Sequence, residues 1–274
     1  MPGFLVSHFI ENEKGVEVFT KNLSTNNYET FNGRNLILAM GTLNTTRCVL
    51  ASLKDYETEL PLVDNPIAMI PLINPFLFGM ANRDKNIMGG LMNLILERNE
   101  QLPIQASLYN VGNILLSDLI MSLPLSAEVL PSAIRKIITG LFVAQVFYPQ
   151  DCQPPSRLKL RRDGSLEINS QQKPGITQEE RKLIKLLREL NLFSHPMLIQ
   201  RPNPGNAIHY AGTIPMRQQP DKKYECDANG LLNHFKKVYL ADASLFPELP
   251  AKNHTFTLMA NAMRIAEQLK KKMG

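Results

Sequence analysis

The chain has 274 residues, 44% of them hydrophobic, with 30 lysines and arginines against 25 aspartates and glutamates. That length and apolar content suit one large domain or two packed ones and exclude disorder as the default. A formal charge of +5 is too small an excess to imply nucleic acid as a partner.

Cys48, Cys152 and Cys226 are widely spaced and form neither a Cys-x-x-Cys pair nor a Cys/His cluster, so no disulfide scaffold and no metal site are expected. The N-terminus meets Glu11 and Glu13 too soon for a signal peptide, and no run of 18 apolar residues occurs. The expectation is a cytoplasmic protein with no membrane span.

In chain order, residues 4–10 and 16–20 read as strands of a hairpin around the polar turn Glu11–Gly15. The run Asn35-Leu-Ile-Leu-Ala-Met40 suits a strand buried on both faces and ended by Gly41, with a helix beginning near Thr42–Asn44. Between about 62 and 155, many prolines, apolar runs and few charges predict a buried mixed sheet with connecting helices. Arg157–Ile168 reads as a second hairpin turning at Asp163-Gly164, one face apolar and the other charged.

A helix is predicted over Thr177–Leu190. Thr177 and Glu180 have capping-box spacing, Ile176, Leu183, Leu187 and Leu190 share a face, and Asn191 closes it. The last part of the chain reads as a short strand at Val238–Ala241, a proline-bounded loop, and a helix over Thr255–Lys272. Lys270, Lys271 and Lys272 at its end, like Lys159, Arg161 and Arg162 earlier, read as solvated faces, the first set favoured by the helix dipole. His8, His195 and His234 read as structural or exposed, and Tyr210 and Met216 as packing residues.

Three stretches carry chemistry: His209-Tyr-Ala-Gly-Thr-Ile-Pro-Met216, Val238-Tyr-Leu-Ala-Asp-Ala-Ser-Leu-Phe-Pro247, and the segment from Leu249 through Asn253-His254-Thr255 to Glu267. Together they resemble the C-terminal signature of the glucose-methanol-choline (GMC) oxidoreductases: histidine before Gly-Thr, a strand ending in Ala-Asp-Ala-Ser, then Asn before a helix rich in Met and Ala. Gly33 to Leu50 is similar to that family's hydrophobic run, Ala-x-Gly turn and following helix.

The resemblance implies an α/β fold. Residues 1–61 and 201–274 would form one flavin-binding domain, and 62–200 an inserted antiparallel-sheet substrate domain. It also implies an FAD-dependent oxidoreductase that moves hydride from the CH–OH group of a small-molecule alcohol to flavin N5. His209 is the preferred base, because a neutral imidazole accepts a proton near pH 7. Asn253 corresponds to the second active-site position, where an amide can orient the substrate oxygen. His254, beside it, is the alternative acid/base. Asp242 and Ala243 are implied near the ribityl and diphosphate portion of the cofactor, and the backbone N–H groups of His254 and Thr255 near the flavin ring, where a helix N-terminus favours negative charge.

A complete member also carries a Gly-x-Gly-x-x-Gly turn that holds the ADP diphosphate. The nearest glycines, Gly89-Gly90 and the separated Gly33 and Gly41, lack that spacing. The sequence therefore predicts weak FAD binding by this chain alone. It reads as a fragment, a subunit completed by a separately encoded ADP-binding half, or a non-catalytic relative that docks a partner through an uncovered apolar face.

Overall fold

The computed structural model describes residues 2–80, 90–110, 137–152, 156–170, 177–202 and 209–273. They divide into two compact units. The first is built from 1–65, 153–171 and 204–274, the second from 66–152 and 172–203.

The first unit opens with an antiparallel meander of β1 (Phe4–Glu11), β2 (Val16–Asn22) and β3 (Tyr28–Gly33). The turn after β1 forms because the Asn12 side chain accepts from the backbone N–H of Lys14 and of Gly15, each at 2.9 Å. A side chain at residue 15 would strike the Gly33 carbonyl, 2.2 Å from an ideal Cβ, so glycine is required where the start of the second strand meets the end of the third. The hairpin is as the sequence predicts. The third strand, made of the polar run Tyr-Glu-Thr-Phe-Asn-Gly, carries no hydrophobic alternation and is visible only in the fold.

The chain then forms β4 (Leu36–Leu38) and α1 (Thr42–Ser52). β4 pairs in parallel with β13 (Val238–Leu240), Leu36 opposite Val238 and Leu38 opposite Leu240. Its expected burial on both faces is not realised: Leu38 is buried, but Ile37 is 48% exposed. Ile37 points to the face opposite Leu36 and Leu38, and that face is the open one. β13 pairs with one edge of β4, and among the described residues no strand pairs with the other. A four-stranded sheet completes the unit in the order β11 (Leu166–Asn169), β10 (Ser156–Leu160), β5 (Leu60–Asp64), β12 (Tyr210–Ala211). The predicted hairpin at Asp163-Gly164 is its β10–β11 arm.

The last helix of the unit, α3 (Thr255–Met273), buries Ile265 and Leu269 in the core that holds Tyr239 and Leu240. On its other side Phe256, Met259 and Met263, spaced i, i+3, i+7, are 85%, 54% and 65% exposed. Lys270, Lys271 and Lys272 are exposed in its last turn.

The second unit holds an antiparallel sheet, as the resemblance implies, and not the mixed sheet that the residues of 62–155 suggest by themselves. β6 (Ile67–Ile73), β9 (Leu141–Phe147), β8 (Gln101–Asn110) and β7 (Met92–Arg98) form a sheet in that order, antiparallel throughout. Runs such as Leu141–Tyr148 look uniformly apolar, yet the core takes alternate residues: Ala68, Ile70 and Leu72 from β6, Ile104, Ala106 and Leu108 from β8, Ala144 and Val146 from β9. They pack with Leu183, Ile184 and Leu187 of α2 (Gln178–Glu189).

α2 begins as its sequence predicts. Glu180 N–H donates to the Thr177 hydroxyl at 3.2 Å and Thr177 N–H to the Glu180 carboxylate at 2.9 Å, a complete capping box. Asn191 closes the helix in the left-handed region with φ 58°. Leu190 differs from expectation in being exposed, and Ile176 lies outside the described residues. Glu180 is also the buried acceptor for the Tyr148 hydroxyl and the Arg201 guanidinium. Thr177→Ala is expected to destabilise the protein by about 1 kcal/mol, read as a lower urea midpoint at unchanged slope.

Candidate active site

His209 sits immediately before β12, and two sets of bonds fix the segment that carries it. In one, β12 pairs with β5, Tyr210 opposite Asp64 and Ala211 opposite Val63. In the other, the chain beyond is stitched to the loop after β13: Gly212 N–H donates to Ala243 O (3.1 Å), Ile214 N–H to Ser244 O (2.9 Å) and Met216 N–H to Leu245 O (2.7 Å). Gly212 is the glycine of the His-Tyr-Ala-Gly motif for a steric reason. Its φ is 72°, and an added Cβ would meet Val63 Cγ2 at 2.7 Å and Phe246 O at 3.0 Å.

Beneath this segment lies a polar network around the start of α1. Thr42 Oγ1 donates to Tyr210 O at 2.6 Å, and Thr46 Oγ1 to Thr213 Oγ1 at 2.7 Å. Asp242 is buried at its centre. Its Oδ2 accepts from Gly41 N–H (3.0 Å) and Thr45 Oγ1 (2.5 Å), and its Oδ1 from Ser244 N–H (2.9 Å) and Ser244 Oγ (2.6 Å). Both carboxylate oxygens are thus engaged within the protein, so Asp242 acts by holding backbone: the Gly41 turn ahead of α1 and the 242–245 loop. Ala243 is buried beside it.

His254 stands just before α3, its carbonyl accepting the first helical bond from Leu258 N–H at 2.8 Å. Its ring meets that of His209 edge to face, centroids 5.0 Å apart at 85°, and lies 6.2 Å from the Phe246 ring. Nδ1 of both histidines is buried. Burial first, and then the neighbouring His254, holds His209 below the ordinary histidine value; burial does the same for His254. Both rings are therefore neutral near pH 7 and able to take up a proton. The ring that faces His209 is that of His254, while Asn253 and Thr255 are solvent-exposed at the helix start.

Two features fit a bound cofactor with anionic character. The N–H groups of Thr255, Phe256 and Thr257 have no partner within α3, whose first turn they form. Gly41, φ 80°, leads into α1 with open space in the direction a Cβ would take, so backbone there can be approached closely. Among the described residues no group of three or more histidine, cysteine or acidic side chains could hold a metal ion.

Residues 194–262 match the family model for GMC oxidoreductases. Residues 194–262, about a quarter of the chain, are thus similar to the C-terminal region of GMC oxidoreductases. His209, Asp242, Ala243, Asn253, His254 and Thr255 all fall within the match. Solved structures of the same fold include pyridoxine 4-oxidase from Mesorbium loti (14% identity, TM-score 0.59, covering 97% of this chain and 57% of that one). They also include an arginine-to-lysine variant of Aspergillus oryzae RIB40 formate oxidase, studied for its FAD modification (13%, TM-score 0.69, 99% and 60%). A third is an FAD-dependent oxidoreductase from Chaetomium thermophilum (18%, TM-score 0.56, 100% and 62%). The chain thus spans about three fifths of the length of these structures. Comparison with curated proteins gave no match. No described helix is long and apolar enough to cross a membrane.

Thr42, Thr45 and Ser244 went unnoticed in the sequence. The run Thr42-Leu-Asn-Thr-Thr46 reads only as a helix start. A second signal was available: four hydroxyl residues on α1 and around Asp242 that end up buried must all find partners.

Proposed function

We propose that this chain is the flavin- and substrate-facing part of an FAD-dependent oxidoreductase acting on the CH–OH group of a small alcohol, with His209 as the base. The observation that carries the reading is the edge-to-face contact of two half-buried, neutral imidazoles beside the start of α3, inside the family match. FAD is named for two of the structural relatives, and when bound it supplies the acceptor for the hydride.

The chain's own residues do the rest. His209 removes the hydroxyl proton as the carbon-bound hydride leaves, and its neutrality at pH 7 keeps it competent to do so. His254 faces it and lends a second ring nitrogen to the substrate oxygen. Two imidazolium charges this close oppose one another, so the pair carries one proton at a time. Asn253 orients the substrate through its amide, and the free N–H groups of α3 favour negative charge on the bound cofactor. Ala243 and the Gly41 turn, both fixed by Asp242, provide the backbone it lies against. In this reading the second unit, 66–152 and 172–203, supplies the substrate domain rather than the whole of 62–200.

The test is the absorbance spectrum of the purified chain after incubation with FAD and desalting, alone and with a polypeptide carrying a Gly-x-Gly-x-x-Gly βαβ segment, followed by anaerobic addition of small alcohols. Retained oxidised flavin that alcohols bleach is the expected result, with much stronger retention in the presence of the second polypeptide. Retention in neither case sinks the reading.

One observation favours a second reading, in which the chain is a docking subunit completed by a partner. Phe256, Met259 and Met263 line the outer face of α3, and Ile37 is exposed on β4, whose second edge no described strand covers. Stable complex formation without any alcohol-dependent bleaching would favour it.

A further inference from the structure

We propose that Asn65 is a positioning residue that sets the His209–His254 contact by holding the loop before His254 to the strand end beside His209. The inference deepens the two-histidine reading above and rests on it for its functional meaning.

Asn65 follows β5 directly and is fully buried. Tyr210 opposite Asp64 is the last pair of the antiparallel β12–β5 ladder, so His209 and Asn65 each lie one residue beyond it, at the same end. From that position the Asn65 amide nitrogen donates to the carbonyl of Pro250 at 3.3 Å. The same carbonyl accepts the backbone N–H of Lys252 at 2.7 Å, closing a three-residue turn. Ala251 between them is buried, and two residues beyond Lys252 the chain delivers His254. One oxygen is therefore the pivot of the loop that aims His254, and Asn65 holds it.

An amide is a costly choice for such a place. Burying it is unfavourable unless it is hydrogen-bonded, whereas leucine of similar bulk would fill the space without that demand. What the amide adds is direction. Without it Pro250 keeps its local turn but loses its tie to the strand end beside His209, and the two rings lose their fixed separation.

The His209 ring meets that of His254 from the start of α3, and Asp64 of β5 lies opposite the next residue, Tyr210 of β12. Of the two, only His254 is carried by the Pro250 loop. Titration of His209 by nitrogen-15 NMR of the full chain therefore reads the proposal without cofactor or substrate. His254→Gln removes a neighbouring charge and is expected to move the His209 midpoint up. Asn65→Leu is expected to move it up by a similar amount, and the double variant no further. Asn65→Ala serves if the leucine variant does not fold, and near-UV circular dichroism establishes which of them keeps native packing.

The proposal is overturned if a folded Asn65 variant melts earlier yet leaves both the His209 midpoint and its response to His254→Gln as in the native chain. A coupled pair that Asn65 variants uncouple, in a chain that never bleaches flavin with alcohol, leaves the role of Asn65 standing and removes the oxidoreductase reading alone.

Discussion

His209→Asn, in protein loaded with FAD, is expected to slow flavin reduction by alcohol about 10²–10⁴-fold, the usual contribution of a positioned general base. The asparagine side chain can still hydrogen-bond the substrate oxygen but cannot take the proton, so the loss should fall on the rate of reduction more than on substrate affinity. Stopped-flow bleaching of the flavin band measures it directly. The native profile should rise with pH through a midpoint below the ordinary histidine value, because burial and His254 both hold His209 down, and level off toward neutrality. In His254→Gln the rising limb should move to higher pH. A flat profile in the native protein, or an unchanged rate in His209→Asn, removes His209 as the base.

The same two rings tie stability to pH. Each has its proton affinity lowered by folding, so the unfolded chain binds more protons on the acid side and stability rises with pH there. Their full contribution is present above about pH 6.5, the unfolded value. It falls as pH drops toward the folded midpoints.

The largest loss of stability is expected at Asp242. Its carboxylate accepts four hydrogen bonds in a buried site, two of them from the backbone N–H groups of Gly41 and Ser244. Asp242→Ala leaves the Thr45 and Ser244 donors, both fully buried, without their acceptor, while the exposed Gly41 N–H can turn to water. The penalty is of order 3–5 kcal/mol, since each unmet buried donor costs about 1–3 kcal/mol. Ser244→Ala, which deletes one hydroxyl donor and spares the carboxylate, provides the comparison and should cost only about 1 kcal/mol. Equal midpoints for the two variants in urea unfolding would show that the carboxylate is not the centre of this network. Because Asp242 fixes the Gly41 turn and the 243–245 loop to which the His209 segment is bonded, its loss should also blur the His209–His254 contact.

What could be read from the sequence was local. The α2 capping box, the Asp163-Gly164 hairpin and the helix after Asn253 are each specified by residues a few positions apart, and each appears where the pattern puts it. The antiparallel sheet of the second unit followed only from the family resemblance, and its strand order was not legible, because apolar runs such as Leu141–Tyr148 do not reveal which residues alternate toward a core until neighbouring strands are in place. β3 was hidden for the opposite reason, since its residues face mostly solvent. At the site, the motifs pointed to His209, Asn253 and His254 but could not say which side chain of the adjacent pair meets His209. That depends on the direction in which the Pro250 turn releases the chain. Asn65 and Thr42 carry no signature, because their importance arises from partners far away in sequence, Pro250 and Tyr210.

The parallel pairing of β4 with β13 joins residues 36–38 to 238–240, with nearly all of the chain between them. During synthesis β4 and α1 precede the second unit, whose described strands and helices are all made before β13. The second unit can therefore consolidate first, and the first is closed only when the final segment arrives with β13 and Asp242 together. A premature stop before residue 238 thus damages the protein at its opposite end: it strips β4 of its strand partner and the Gly41 turn of its acceptor, although no residue near either has been changed.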